Sequence, residues 1–111
     1  MRAKKQIRFT FEDREYTLEF TRKSIEMMER QGFVAGDIVS KPMTTLPALF
    51  AGAFLANHRF TKKEDILRMF DLFENKQELI GKLGEMFNEP LAALVDDPEE
   101  SEGNISWEAS W

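Results

Sequence analysis

The chain has 111 residues, enough for one ordinary domain, and its hydrophobic fraction of 42% and charged fraction of 32% exclude wholesale disorder. It contains no cysteine, which excludes disulfides, thiolate nucleophiles and cysteine-based metal sites. Residues 1–95 contain fifteen basic and fourteen acidic residues, and this balance does not favour nucleic-acid binding, which depends on basic residues that neutralise phosphates.

Two stretches of alternating apolar residues near the start of the chain predict a β-hairpin over residues 6–20. The alternating apolar residues are Ile7, Phe9, Phe11, Tyr16, Leu18 and Phe20. A polar turn at residues 12–15 that pairs Phe11 with Tyr16, and therefore Phe9 with Leu18, places all six on one face of the hairpin. We expect helices from the rest of the chain to cover that face, because an apolar face must be buried.

Helical periodicity predicts four to five helices after the hairpin, so the fold class is α+β and mainly helical. Thr21 is suited to cap the first helix, and Gly32 is suited to end it in a left-handed conformation. Residues 34–44 contain glycine, proline and several polar residues and are predicted to form a loop. The predicted helices cover residues 22–31, 46–57, 62–74, 76–88 and 90–95.

Residues 46–57 are apolar on every side, which is typical of a central helix that is packed on most faces. Pro47 fits the first turn of this helix. The apolar run over residues 46–56 has eleven residues, whereas a membrane-spanning helix needs about twenty, and no signal-peptide pattern precedes it. We expect a cytoplasmic location and no membrane partner. An alternative is that part of this surface is exposed in the monomer and buried in a weak homo-oligomer.

Two local patterns mark the boundaries of the later helices. Thr61 and Glu64 have the spacing of a capping box, which predicts a helix start at this point. Pro90 is expected to interrupt the last long helix, because proline lacks the backbone N–H that a helix interior uses. A last short helix would then follow this interruption.

The sequence shows no recognisable arrangement of catalytic, cofactor-binding or metal-binding residues. His58 is the one histidine and lies at the expected end of the central helix, where a structural or surface role is favoured over catalysis. Residues 81–84 lack the spacing of a phosphate-binding loop. We therefore predict a protein that is not an enzyme and that holds no cofactor or metal.

Residues 96–111 contain six acidic residues, no basic residue and no periodicity, so we predict a flexible acidic tail after a single domain over residues 1–95. Both tryptophans of the chain lie in its last five residues, and tryptophan is enriched at the energetic centres of interfaces. These residues fold back onto the body, form a docking peptide or have no role; the groove for a docking peptide would belong to the same molecule, a neighbouring copy or a partner protein. The candidate interaction residues are Ile105, Trp107 and Trp111 in the tail, with Arg59, Lys62 and Lys63 as the basic rim of a groove.

Several segments resemble a family of small proteins from phages and prophages of low-GC Gram-positive bacteria. After a hairpin that begins Lys/Gln-Ile-x-Phe-x-Phe, the resemblance lies in residues 16–23 (YTLEFTRK), 27–33 (MMERQGF), 49–54 (LFAGAF) and 106–108 (SWE). It covers about residues 5–111. The order of a hairpin followed by helices is similar to that of the tail assembly chaperones of long-tailed bacteriophages.

The resemblance implies a chaperone that binds the tape-measure protein and helps to recruit tail tube subunits. The partner that offers a groove to the docking peptide would then be a tail tube subunit. It also implies a location in the cytoplasm of an infected or lysogenic bacterial host and absence from the mature virion. A body rich in Phe and Met is compatible with this role, because such surfaces adapt to amphipathic helical segments. An alternative from another class is a small phage-encoded regulatory protein that inhibits a host protein by binding it through the acidic tail.

Overall fold

The computed structural model describes residues 5–95 and 105–111. Residues 1–4 and 96–104, which include most of the predicted acidic tail, lie outside the described residues. The α+β, mainly helical fold class predicted from the sequence is confirmed. In chain order the elements are β1 (Ile7–Phe11), β2 (Arg14–Leu18), α1 (Arg22–Arg30), α2 (Asp37–Ser40), α3 (Pro42–Gly52), α4 (Lys63–Leu72) and α5 (Lys76–Val95).

The hairpin turns over two residues and not over the four that we predicted. Glu12 and Asp13 both have positive φ angles, of 50° and 63°, as a type I′ turn requires, and this turn matches the twist of paired strands. Phe9 therefore faces Tyr16 and not Leu18, so the predicted register is wrong by two residues. Because side chains alternate with a period of two, this shift keeps the same residues on the apolar face.

The apolar face of the hairpin packs against helical residues. The ring of Phe9 stacks on Tyr16, with 5.2 Å between centroids, and meets Phe73 edge-on at 4.9 Å. Tyr16 also meets Phe54 edge-on at 5.8 Å. These aromatic contacts join the hairpin to the end of α4 and to the segment that follows α3, so this face is covered as the alternating pattern predicts.

Helix α1 begins and ends at the residues predicted to bound it. The hydroxyl of Thr21 accepts a hydrogen bond from the backbone N–H of Ser24 at 3.0 Å, and the Ser24 hydroxyl accepts one from the Thr21 N–H at 2.9 Å. Gly32 has a φ of 96° just beyond the helix, and the N–H of Phe33 donates to the carbonyl of Met28 at 2.9 Å. This arrangement satisfies carbonyls that the end of a helix leaves without partners.

The segment over residues 34–44 is not a loop throughout, because it contains α2 and the first three residues of α3. Pro42 occupies the first turn of α3, where the missing N–H of proline needs no partner. Pro47 lies inside the helix, so its predicted place in the first turn is wrong. Helix α3 therefore begins four residues before the predicted start, and residues 53–57 form turns and not the predicted last helical turn.

Helix α3 occupies the centre of the fold, as its apolar character predicted. It contacts α1, α2, α4 and α5. The largest side chains with less than 2% exposure belong to this region, to the hairpin and to the two last helices. They are Phe50, Phe54, Leu18, Leu49, Met69 and Leu83. Among the described residues, no helix has both the length and the apolar character that crossing a membrane requires.

The last two helices differ from the prediction at their boundaries. The N-cap of α4 is Lys62, and no side chain caps this helix, so the predicted capping box of Thr61 and Glu64 does not form. Helix α5 continues through Pro90 as one helix of 20 residues, so the predicted interruption is wrong. Pro90 and Phe20 both line a small surface depression beside this helix.

Candidate protein-binding surfaces

A groove with a volume of about 670 Å³ lies between the end of α1, helices α2 and α3, and the segment that leads into α4. Its floor is apolar: Met28, Phe54 and Ile66 are buried there, and Phe33 and Leu55 are half-buried. Sites that bind small molecules or inserted side chains have volumes of about 300–1,000 Å³. The groove therefore has the size and the lining to receive a few large apolar side chains.

Three basic side chains lie among the residues that line this groove. Lys41, Arg59 and Lys63 line it and are exposed, and we call these three residues the basic rim. Asp37 is the one carboxylate that lines the groove in the part of the chain that the structure describes. The excess of positive charge favours an acidic partner, because complementary charge steers association and disfavours wrong partners.

Gly52 allows α1 and α3 to approach closely at the floor of the groove. A Cβ atom at this position would overlap Sδ and Cε of Met28 and would lie 3.0 Å from its Cγ. The absence of a side chain at Gly52 therefore lets the Met28 side chain lie across α3. Met28 in turn forms part of the apolar floor.

The position of the rim residue Arg59 depends on the contact between its neighbour His58 and the hairpin. The Nε2 atom of His58 accepts a hydrogen bond from the backbone N–H of Thr17 at 3.0 Å. The imidazole ring also meets Tyr16 edge-on at 5.1 Å. These contacts hold the segment after α3 against β2, and the Arg59 guanidinium lies over the exposed ring of Phe60 at 5.2 Å.

The C-terminal segment, residues 105–111, has no secondary structure, and its large apolar residues face solvent. Ile105 is 87% exposed, Trp107 is 82% exposed and Trp111 is fully exposed at 102%. In this structure they do not fold back onto the body, and they do not meet the basic residues that we predicted as their partners. Exposed apolar residues at this density are typical of a protein-interaction segment.

A second exposed apolar surface lies at the end of α5. Leu91, Leu94 and Val95 are exposed and are spaced three and four residues apart, so they share one face of the helix. We call these three residues the α5 stripe. A helical stripe of this kind can pack against an amphipathic helix of another protein.

A family model described as a domain of unknown function (DUF5055) matches residues 3–111. The chain belongs to the DUF5055 family. The match spans both the hairpin-and-helix body and the C-terminal segment, so the tryptophans are part of the DUF5055 region. Comparisons with curated proteins and with solved structures give no match.

The structure brings some of the predicted interaction residues of this DUF5055 protein to the groove and leaves others away from it. Two of the predicted rim residues, Arg59 and Lys63, line the groove, whereas Lys62 is the N-cap of α4 and does not line it. Lys41 was missed. The pair Lys41-Pro42 could have revealed it, because proline favours the first turn of a helix and would have placed Lys41 at the start of α3.

The single histidine of this DUF5055 protein takes part in packing and backbone hydrogen bonding. The Nε2 atom of His58 serves as the hydrogen-bond acceptor for the backbone N–H of Thr17. Asn57 next to it donates through Nδ2 to the carbonyl of Thr17 at 3.2 Å and to the carboxylate of Glu19 at 2.9 Å. Within residues 5–95 and 105–111, no group of three acidic or histidine side chains is placed to hold a metal ion.

Proposed function

We propose that this DUF5055 protein is a phage tail assembly chaperone that binds the tape-measure protein and helps to recruit tail tube subunits. It acts in the cytoplasm of the infected or lysogenic bacterial host and is not part of the mature virion. The resemblance of the hairpin and the later segments to phage and prophage proteins supports this class of function. The observation that carries the proposal is the α5 stripe, an apolar helical face that the rest of residues 5–95 and 105–111 leaves exposed.

The α5 stripe suits a tape-measure protein because of the chemistry of that client. A tape-measure protein is long, largely helical and partly apolar. Its exposed apolar surface would cause aggregation unless another protein binds it before the tail tube encloses it. Leu91, Leu94 and Val95 provide an apolar face with the spacing that a helix-against-helix contact uses. Many copies bound along one client would then keep the client soluble, since each covers a short stretch.

Co-expression with the tape-measure protein of a phage or prophage that carries the gene for this chain tests the proposal. We expect the wild-type protein to raise the soluble yield of the tape-measure protein and to co-purify with it. Leu94→Glu places a charge in the stripe and should weaken capture by about tenfold or more, which corresponds to about 1.4 kcal/mol. Leu72→Glu is the matched control, because Leu72 is also exposed and lies on α4, away from the stripe.

Three results would contradict the proposal. The first is a tape-measure protein that remains insoluble and is not captured by the wild-type chain. The second is equal loss of capture by Leu94→Glu and Leu72→Glu, which would show that the stripe has no particular role. The third is capture of a host enzyme with loss of its activity, which would favour the regulatory alternative.

A further inference from the structure

We propose that the C-terminal segment of one copy of this protein docks in the groove of a second copy and links the copies head to tail. The proposal concerns two surfaces of this chain alone and does not rest on binding of a tape-measure protein. The groove is apolar with a basic rim, and the C-terminal segment is exposed, apolar and acidic, so the two surfaces are complementary.

The apolar parts of the two surfaces fit each other. The groove offers a floor that includes Met28, Phe33 and Leu55, and the segment offers Trp107 and Trp111. Each aromatic side chain removes roughly 150–250 Å² from water when it is buried. Two docked tryptophans therefore correspond to a small interface, in the range of weak and reversible contacts.

The charges of the two surfaces are opposite. The basic rim carries three positive side chains against the carboxylate of Asp37. The C-terminal segment carries Glu108 and no basic residue, and the preceding residues 96–104 contain five acidic residues and no basic residue. A segment with this charge is attracted to the basic rim and repelled by acidic surfaces.

The occupant of the groove is a segment from another copy. In the isolated chain, Ile105, Trp107 and Trp111 are all exposed, so the groove of the same molecule does not cover them. A second copy supplies the same groove with the same basic rim. Because the segment and the groove are different surfaces, the contact is heterologous, and each copy can bind one neighbour through its segment and another through its groove.

Intrinsic tryptophan fluorescence reports on this contact, because both tryptophans of the protein lie in the C-terminal segment. We expect tryptophan emission to move to shorter wavelengths as the concentration of the full-length protein rises from about 1 μM to about 1 mM, the range of weak association. Sedimentation should show a larger mass over the same range. Emission typical of exposed tryptophan at every concentration would overturn the proposal. Short-wavelength emission that does not depend on concentration would show docking within one molecule and would also overturn it.

Charge reversal on the rim tests the groove. Arg59→Glu with Lys63→Glu should raise the dissociation constant at least about tenfold. The matched control is Arg14→Glu with Lys82→Glu, which makes the same charge change at exposed residues outside the groove and should leave association unchanged. Far-UV circular dichroism and melting curves establish that both double variants are folded. Equal weakening by the two double variants would overturn the assignment of the groove.

A mixing experiment tests the head-to-tail arrangement. The rim double variant keeps an intact segment, and Trp107→Ala with Trp111→Ala keeps an intact groove. Each variant alone should sediment as a monomer. Their mixture should form pairs and should move the tryptophan emission of the rim variant to shorter wavelengths, because only its segment carries tryptophan. A mixture that behaves as the sum of its parts would overturn the proposal.

Discussion

The Nε2 atom of His58 lies 3.0 Å from the backbone nitrogen of Thr17 and accepts its N–H. Asn57 donates to the carbonyl of the same residue at 3.2 Å. Two consecutive side chains thus occupy the outer edge of β2, where a third strand would otherwise pair. Sheet edges with unpaired backbone groups are prone to pairing with other chains, so this cover protects the hairpin.

We expect His58→Leu to lower the free energy of unfolding by about 1–3 kcal/mol, because it leaves the half-buried Thr17 N–H without its acceptor. Urea denaturation followed by circular dichroism measures the change. His58→Gln is the control, since its side-chain carbonyl can accept a hydrogen bond and should recover part of the loss. Equal stability of the leucine variant and the wild type would show that the contact contributes nothing.

Asp13→Gly should raise the free energy of unfolding by about 0.5–1 kcal/mol. Asp13 has a φ of 63°, and glycine adopts this conformation without the steric cost that a side chain brings. Glu12 is left unchanged, because its carboxylate forms a salt bridge with Arg68, with 2.9 Å between Oε1 and Nη2. Thermal melting measures the effect, and Asp13→Ala is the control that should not stabilise. A glycine variant that melts below the alanine variant would contradict the two-residue turn.

Phe50→Ala should destabilise the protein by about 3–5 kcal/mol, the usual cost of emptying a buried aromatic site. Phe50 is 0% exposed and lies 5.2 Å from Phe54, 5.2 Å from Phe70 and 5.4 Å from Phe73, measured between ring centroids. Phe9→Ala should have a smaller effect, because Phe9 is only half-buried. Chemical denaturation measures the loss of stability in each variant. A larger loss for Phe9→Ala than for Phe50→Ala would place the centre of the core at the hairpin.

Gly52→Ala should cost about 1–3 kcal/mol, because the added methyl group overlaps the Met28 side chain. Met28→Ala removes the overlapping atoms, so the double variant should lose less stability than the sum of the two single variants. Denaturation of the four proteins in this cycle measures the coupling. If the losses of stability in the two single variants add up to the loss in the double variant, the Met28 side chain does not resist the added methyl group and α1 and α3 separate freely at this point.

Elements whose boundaries depend on local chemistry could be predicted from the sequence. The hydroxyl of Thr21 and the left-handed conformation of Gly32 act within a few residues, and α1 begins and ends where they predict. The hairpin turn was harder to predict, because Glu12 and Asp13 lack the glycine or asparagine that usually marks a two-residue turn. The register was therefore wrong, although the apolar face was right.

Proline positions and the groove depend on tertiary packing, which sequence periodicity does not describe. Pro47 and Pro90 both lie inside helices, although proline lacks the N–H that a helix interior uses. The groove joins Lys41, Arg59 and Lys63 from three separate parts of the chain. The tryptophans of the C-terminal segment were conspicuous in the sequence, but only the structure shows that they are exposed in the isolated chain.

If the gene for this chain lies in a phage or prophage, as we propose, electron microscopy of its particles after interruption of that gene tests the proposed function most directly. The account predicts filled heads without tails, because the tape-measure protein would lack cover and the tail tube would not assemble around it. The wild-type gene supplied in trans should restore tails, and Leu94→Glu should not. Tails of normal length and number in the absence of this protein would contradict the account.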